Sequence, residues 1–330
     1  MIQTEFYLLI LHYSHSQVPA KIHIITFLLN VFLFSDFGVH AQDPLNAHFF
    51  LHTGNLNPSL AGTAGQQRYF ANYRNQYPAL RQVYVTYTGG FDIPLPAAGG
   101  GAGMSVVNDV LAKGGLNTFS ADFFYAYHLT AGRHLKLCGG LQFSVINRHL
   151  NSLLISDNDF QEMIPARSAF LMDVSTGISV FWKNNFTGGI AVHHAGNKVL
   201  SGSENIYVPP KITTHASYFY TYGEGHSLLS SFIFQYQQHL SQLTWGALYL
   251  YKNFGAGLWA RHNEAFLFSA LIMGLHYEQS IYSVYYSYEF SVKPTSYLLN
   301  FGSHEVTFLI KFKYKDLRKK KPRAIKCPDI

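Results

Sequence analysis

Charged residues are scarce in this chain of 330 residues: 13% are Asp, Glu, Lys or Arg, whereas a soluble domain usually carries about 25%. After residue 42 there is also no uninterrupted apolar run of about 18 residues, the length that a transmembrane helix needs. Any crossing of a membrane must therefore be made by strands. In hydrocarbon, unpaired backbone groups cost several kcal/mol each, so membrane strands must close into a barrel.

Cysteine and recognisable catalytic motifs are also nearly missing. The two cysteines, Cys138 and Cys327, are too distant in sequence to suggest a disulfide framework or a zinc site, and we interpret both as structural or incidental. No G-x-S-x-G elbow and no H-E-x-x-H motif occurs. The 17 histidines fit interfacial or lumen-facing positions. We expect that the protein is not an enzyme and that it has no cofactor and no metal site. The enzymatic alternative is an outer-membrane phospholipase, but the sequence does not identify its nucleophile.

What the sequence does contain is alternation of apolar and polar residues with a period of two. Between residues 281 and 290, Tyr282, Tyr286 and Phe290 share one face and Ser283 and Glu289 the other, a separation that only a strand produces. The pattern predicts strands at 68–74, 82–91, 101–109, 117–129, 134–147, 168–182, 186–194, 214–222, 228–238, 243–251, 254–262, 265–278, 280–290 and 304–314.

These segments predict an all-β fold, a transmembrane antiparallel β-barrel of about 14 strands; a soluble β-sandwich is the rival. Tight links at 252–253 and 279 alternate with long ones at 148–167, 195–213 and 291–303. Since barrel links are short in the periplasm and long outside, we expect both chain ends in the periplasm. The aromatic faces then contact lipid, and the polar faces line the lumen. Predicted lumen-facing residues are Asp122, His128, Glu289, Lys311 and Lys313.

The first 41 residues resemble a secretory signal. Lys21 precedes an apolar stretch at 22–34, and the small residues Val39 and Ala41 suit signal peptidase. We expect residues 1–41 to be a signal peptide, with 1–17 explained by a start codon set too far upstream.

Three further segments complete the organisation predicted for the mature chain. Residues 42–67 lack sustained alternation and are interpreted as a periplasmic lead-in, followed by an outer-membrane barrel at 68–314 and a basic C-terminal tail at 315–330. The density of Lys and Arg in the tail could serve nucleic acid, but a barrel in the outer membrane does not meet it. We expect no nucleic-acid partner; the tail is either solvated or contacts anionic headgroups, peptidoglycan or an acidic protein.

A resemblance to a known family lies in segments 57–62, 73–80, and 101–109 with 115–118. In these segments the sequence resembles the PorP/SprF family of Bacteroidetes, which is associated with type IX secretion and gliding motility. The resemblance implies an outer-membrane accessory or anchor whose partners are lipid, secretion machinery components, and a secreted substrate or adhesin C-terminal domain. A passive channel for small solutes is the alternative. A structural interpretation of the motifs is also open, with Pro58, Gly62 and Pro78 shaping turns and Arg74 pairing in the lumen. The family motif comprises Asn57, Pro58, Ala61, Gly62, Tyr73, Arg74, Asn75, Gln76, Pro78, Asn108 and Asp109.

Overall fold

The computed structural model describes residues 46–78, 84–111, 114–151, 167–183, 185–196, 198–202, 208–262, 264–277, 279–292 and 302–312. The predicted signal peptide, the basic tail and Lys313 lie outside these described residues. The strands are β1 Gln67–Gln76, β2 Tyr84–Leu95, β3 Gly100–Leu111, β4 Leu116–Ala131, β5 Leu135–Leu150, β6 Arg167–Trp182, β7 Phe186–His193, β8 Lys198–Gly202, β9 Lys211–Tyr222, β10 His226–Gln237, β11 Leu240–Tyr251, β12 Phe254–Arg261, β13 Ala265–Tyr277, β14 Ser280–Ser291 and β15 Ser303–Phe312.

The strands close into one antiparallel barrel. Consecutive strands pair from β1 to β7 and from β9 to β15, while β7 pairs with β9 and β15 returns to β1. β8 pairs with residues 169–172 of β6, next to the stretch of β6 that pairs with β7. Because β7 and β8 together fill one strand position, the barrel has 14 strand positions for its 15 segments, which confirms the predicted fold class.

The predicted strands all correspond to observed ones, with one addition. The stretch 195–213, expected to be a connecting loop, contains β8. Strand β7 ends where His194 adopts a positive φ of 58°, a conformation that L residues rarely adopt and that interrupts an extended chain. The pairing with β6 then resumes at β8 with a shift in register.

The outer surface is apolar and aromatic, as a membrane-spanning barrel requires. On β4, residues Phe119, Phe123 and Tyr127 are 47%, 49% and 56% exposed, while the alternate residues Asp122 and Phe124 are buried. The same alternation runs along β6, β13 and β14. A surface of this kind has no favourable contact with water and a favourable one with lipid chains.

Four short helical turns accompany the strands in the described part of the chain. Phe49–Leu51 and Pro58–Leu60 are 3₁₀ turns on either side of the one-turn helix α1 (Thr53–Leu56), and a further 3₁₀ turn, Pro96–Ala98, joins β2 to β3. Among the residues that the structure describes, no helix has the length and hydropathy to cross a membrane.

The two rims of the barrel differ in the length of their links. The rim that we call the short-turn end carries links of two to four residues at 96–99, 132–134, 183–185, 223–225, 252–253 and 278–279. The opposite rim, the long-loop end, carries the long links at 77–83, 151–166 and 292–302, together with short links at 112–115, 238–239 and 262–264. Because Gln67 pairs with Phe312, the barrel begins and ends at the short-turn end.

Residues 46–66, which we call the inner segment, lie inside the barrel. Their partners are inward-facing residues on many strands, including Glu305 on β15, Asp92 on β2 and Ser179 on β6. The expectation of a lead-in ahead of the barrel is therefore corrected for this stretch. Its backbone lacks strand partners, and the polar lumen supplies the hydrogen bonds that buried backbone groups need.

We expect a charge on the outer surface to be costly in the middle of the apolar band. Replacement of Phe123 by Arg should lower the free energy of unfolding in lipid vesicles by about 2–4 kcal/mol, the cost of Arg near the bilayer midplane. Asn147→Arg is the matched control, since this exposed outward residue of β5 lies near the long-loop end, where the cost falls to about 0–1 kcal/mol. Equal losses in urea titrations of the two variants would contradict the assigned band.

Candidate functional site

The inner segment is held at its start by one carboxylate of the last strand. Glu305 is 1% exposed. Its Oε2 accepts from the backbone N–H of Ala47 at 2.7 Å, and its Oε1 accepts from the backbone N–H of His48 at 3.2 Å. Asn72 donates to the same Oε1 at 3.0 Å. A carboxylate that receives several N–H donors fixes this part of the inner segment against β15.

An ion-pair network that includes this carboxylate joins four strands. Arg74 on β1 contacts Glu305 at 3.3 Å and Glu289 on β14 at 2.9 Å, and Glu289 also contacts Arg261 on β12 at 2.6 Å. All four side chains are buried. Two guanidinium groups and two carboxylates balance each other, and loss of one partner from such a buried set costs about 3–5 kcal/mol because a charge is left uncompensated.

A second anchor lies at Asn57, whose side chain is fully buried. Its Nδ2 lies 3.1 Å from the carbonyl oxygen of Ile178 on β6 and 3.2 Å from that of Ile190 on β7. Its Oδ1 accepts from Ser59 N at 3.0 Å and from Ser59 Oγ at 2.6 Å. The same hydroxyl lies 2.5 Å from Ser179 Oγ. One amide therefore caps the turn Pro58–Leu60 and ties it to two barrel strands.

Glycines on the barrel wall make room for this anchor. A Cβ on Gly140 of β5 would overlap Ser59 N and the carbonyl carbon of Pro58, and a Cβ on Gly177 of β6 would overlap the side chain of Asn57. Gly139 faces outward beside Gly140, and a Cβ there meets nothing within 4 Å. At these two glycines the backbone of the lumen wall thus lies directly against the inner segment.

A third anchor lies where the inner segment approaches β1. Asp92 on β2 accepts from Gly62 N at 2.8 Å and pairs with Arg68 Nε at 2.6 Å. His128 Nε2 lies 2.9 Å from the carbonyl oxygen of Ala61. Gly62 has a φ of +67°, and a Cβ there would lie 2.7 Å from Gly101 Cα. The chain can turn and pack at this point only because both positions lack side chains.

Between the anchors the inner segment packs on an apolar patch. Phe50 stacks on Trp259 of β12 with ring centroids 6.1 Å apart, and Phe49 and Leu51 belong to the same buried cluster as Leu309. His52 is 1% exposed. Burial lowers the pKa of His52 to about 4, so its ring is neutral at pH 7.

A cavity remains between the inner segment and β3 to β7, with β9 and β10 on its far side; we call it the cup. Its volume is about 200 Å³. Asn46, His52 and Asn55 face it from the inner segment, while its wall reaches Arg148 and Leu116 near the long-loop end. Beside the inner segment, the described part of the lumen thus keeps a cavity that reaches toward the long-loop end.

The structure places the predicted motif residues in two groups. Asn57, Pro58, Ala61 and Gly62 belong to the anchors, and Arg74 to the ion-pair network. A second group lies at the long-loop end of β1 and β3. Its members are Tyr73, Asn75 and Asn108, which point outward by strand register; Gln76 and Pro78, which are partly buried at the end of β1 and just beyond it; and Asp109, whose Oδ1 accepts from Thr86 at 2.7 Å.

Of the residues predicted to face the lumen, Asp122 and Glu289 are buried inside the barrel, and His128 and Lys311 are partly buried on the inward face. Sequence reasoning did not single out Asp92, Arg68 or Arg261 as functional. Their positions in the alternation of each strand indicate that their side chains point into the lumen. The alternation does not indicate which of these side chains contact each other. Among the described residues, no group of three potential metal ligands occurs.

One protein family matches most of this chain. The family model described as type IX secretion system membrane protein PorP/SprF matches residues 39–310. None of the curated proteins matches the sequence.

Several solved structures are similar in fold. The toluene transporter TbuX of Ralstonia pickettii shares 10% identity over 78% of this chain and 92% of its own, with a TM-score of 0.47. A FadL homologue of Pseudomonas aeruginosa shares 12% over 78% and 93%, with a TM-score of 0.43. The toluene transporter TodX of Pseudomonas putida shares 9% over 84% and 96%, with a TM-score of 0.44. At such identities the likeness concerns the fold alone.

Removal of the Glu305 carboxylate should destabilise the whole barrel. We expect Glu305→Ala to lower the free energy of unfolding by about 3–5 kcal/mol, because Arg74 loses a buried partner and two backbone N–H groups lose their acceptor. Guanidinium unfolding of the protein in detergent micelles measures the change. Glu224→Ala, at an exposed acid in the turn between β9 and β10, should cost less than about 0.5 kcal/mol. Similar losses in both variants would contradict the anchor.

Adjacent glycines on β5 offer a test of the fit between wall and inner segment. Gly140→Ala should displace the turn at Ser59 and raise proteolysis by chymotrypsin after Phe49 and Phe50, since the added methyl group overlaps backbone. Gly139→Ala adds the same methyl group on the outer face and should leave the cleavage rate unchanged. A wild-type digestion pattern for Gly140→Ala would show that the inner segment does not rest on this wall.

Proposed function

This chain belongs to the PorP/SprF family of type IX secretion system membrane proteins, and we propose that it is an outer-membrane accessory or anchor of that system. In this role it supports the secretion or the surface attachment of a partner protein such as an adhesin. Its direct contacts are outer-membrane lipid, components of the secretion machinery, and a secreted substrate or the C-terminal domain of an adhesin.

The observation that carries this proposal is the filling of the lumen by the inner segment. Three anchors hold it, at Glu305, at Asn57 and at Asp92. A passive channel needs a continuous aqueous path, and each anchor would have to break before residues 46–62 could leave that path. A filled barrel is better suited to hold a partner than to pass solutes.

The difference between the two rims supports an orientation. Short links are typical of the periplasmic side of outer-membrane barrels, so we place the short-turn end in the periplasm. The barrel begins at Gln67 and ends at Phe312 on that rim. The basic tail at 315–330 then emerges toward periplasmic components of the machinery. The cup and the long links face outward, where a secreted partner would arrive.

Co-purification from native outer membrane, combined with conductance, tests the function. The tagged full-length chain, extracted in mild detergent, should bring down a secreted protein or machinery components that an untagged strain does not yield. The purified barrel should show no stable conductance in planar bilayers. Gly140→Ala provides the positive control for the bilayer assay, because displacement of the inner segment should raise conductance. Recovery of the barrel alone, together with clear wild-type conductance, would favour the alternative, a passive channel for small solutes.

A further inference from the structure

Three of the five buried acids described inside the barrel pair with arginine: Asp92 with Arg68, Glu289 with Arg74 and Arg261, and Glu305 with Arg74. Asp173 lies 2.7 Å from Nδ1 of His194, a ring that carries charge only when protonated. Asp122 differs. It is 5% exposed on β4, it accepts from Ser105 Oγ at 3.1 Å, and it forms no ion pair with any residue that the structure describes.

Asp122 lies on the floor of the cup among groups that accept hydrogen bonds. Ser144 on β5 faces it across the strand pair, and Gln142 lies two residues away on the same face of β5. Gln142 donates from Nε2 to Ser144 Oγ at 3.1 Å. Its Oε1 is buried and has no hydrogen-bond partner. A carboxylate, an amide oxygen and a hydroxyl therefore converge with acceptor capacity left over.

We propose that the floor of the cup is a binding site for a primary ammonium group, held by Asp122 together with Gln142 Oε1 and Ser144 Oγ. A buried carboxylate without a counter-charge is costly, and one positive charge removes that cost. An ammonium group carries three N–H donors and no acceptor, so it matches a cluster of three acceptors.

The walls above the floor suit an aliphatic stem. Val107, Ile146 and Ile233 face the cavity between the floor and the long-loop end, and a volume of about 200 Å³ holds a chain of several methylene groups. The site therefore fits an ammonium group on an unbranched apolar stem, as in an alkylamine or a lysine side chain.

None of the described cationic groups that line the cup forms an ion pair with Asp122. Arg148 is four residues beyond Ser144 on β5, roughly 13 Å at the rise of a strand. Lys211 is on β9, three strand positions from β5, roughly 14 Å around the wall at the usual spacing of strands. His194 is bound to Asp173 at 2.7 Å, and His193 lies 3.4 Å from the carbonyl oxygen of Leu56.

Calorimetry on the purified full-length barrel in detergent tests the site with butylammonium chloride as the probe. Wild type should bind it saturably, and Asp122→Asn, which keeps the shape of the side chain, should weaken binding at least tenfold. Glu224→Gln removes one exposed acid from a turn and should bind as wild type does. Butylammonium should also raise the Tm of wild type but not of Asp122→Asn, whose own Tm without amine should equal or exceed that of wild type.

Control ligands separate the parts of the recognition. Butanol has the stem without the charge, and tetramethylammonium has the charge without N–H donors; both should bind at least tenfold more weakly than butylammonium. Absence of saturable binding, equal affinity in Asp122→Asn, or displacement by equimolar sodium chloride would overturn the proposal.

The source of the ammonium group is settled by a second probe. Tighter binding of Nα-acetyl-lysine amide than of butylammonium supports the site and assigns it to a polypeptide lysine; the reverse supports it and assigns a free amine. The site rests on the charge of Asp122 and not on the proposed function, so a barrel that co-purifies with a secreted partner yet binds no amine would refute this inference alone.

Discussion

Glu305 accepts hydrogen bonds from two consecutive backbone N–H groups of the inner segment while it pairs with Arg74 on the neighbouring strand. That neighbour is β1, so the ion pair crosses the seam where the last strand of the barrel meets the first. One carboxylate therefore contributes both to closure of the barrel and to placement of the inner segment, beside the backbone pairing of β1 with β15. A sheet that failed to close here would expose two unpaired edges, which lipid does not tolerate, and would release the inner segment at the same time.

The size of the barrel explains why an inner segment is needed. Side chains alone can fill an eight-stranded barrel, whereas much wider barrels leave an aqueous channel. With 14 strand positions, this lumen is too wide for side chains alone, and residues 46–62 fill much of the remaining space with backbone. Backbone inside a barrel needs hydrogen-bond partners, and Glu305, Asp92 and the carbonyl groups of β6 and β7 supply them. The polar lumen is thus fitted to a particular piece of chain.

Sequence alternation was sufficient for the barrel because the strand period is local. An apolar face that alternates with a polar one over eight to twelve residues identifies a strand. The polar face then points to the interior, and Asp122 and Glu289 belong to it. The inner segment had no such signal. Its anchors join residues far apart in sequence, such as Asn57 with Ser179 and Ala47 with Glu305, 122 and 258 positions away. Gly140 and Gly177 contribute by lacking a side chain, which no hydropathy pattern records. Strand β8 was missed because it is five residues long, too short for alternation to distinguish from a loop.

The residues that carry the family resemblance make contacts within the barrel. Asn57, Gly62 and Arg74 position the inner segment, and Tyr73 packs against Tyr87 on the outer face with ring centroids 5.3 Å apart. Aromatic residues at such positions suit the boundary between lipid and water. The partners of these motif residues are therefore other residues of the same barrel. It follows that these motif residues hold the inner segment in place, and that under the proposed function a partner would be recognised by other surfaces, such as the cup.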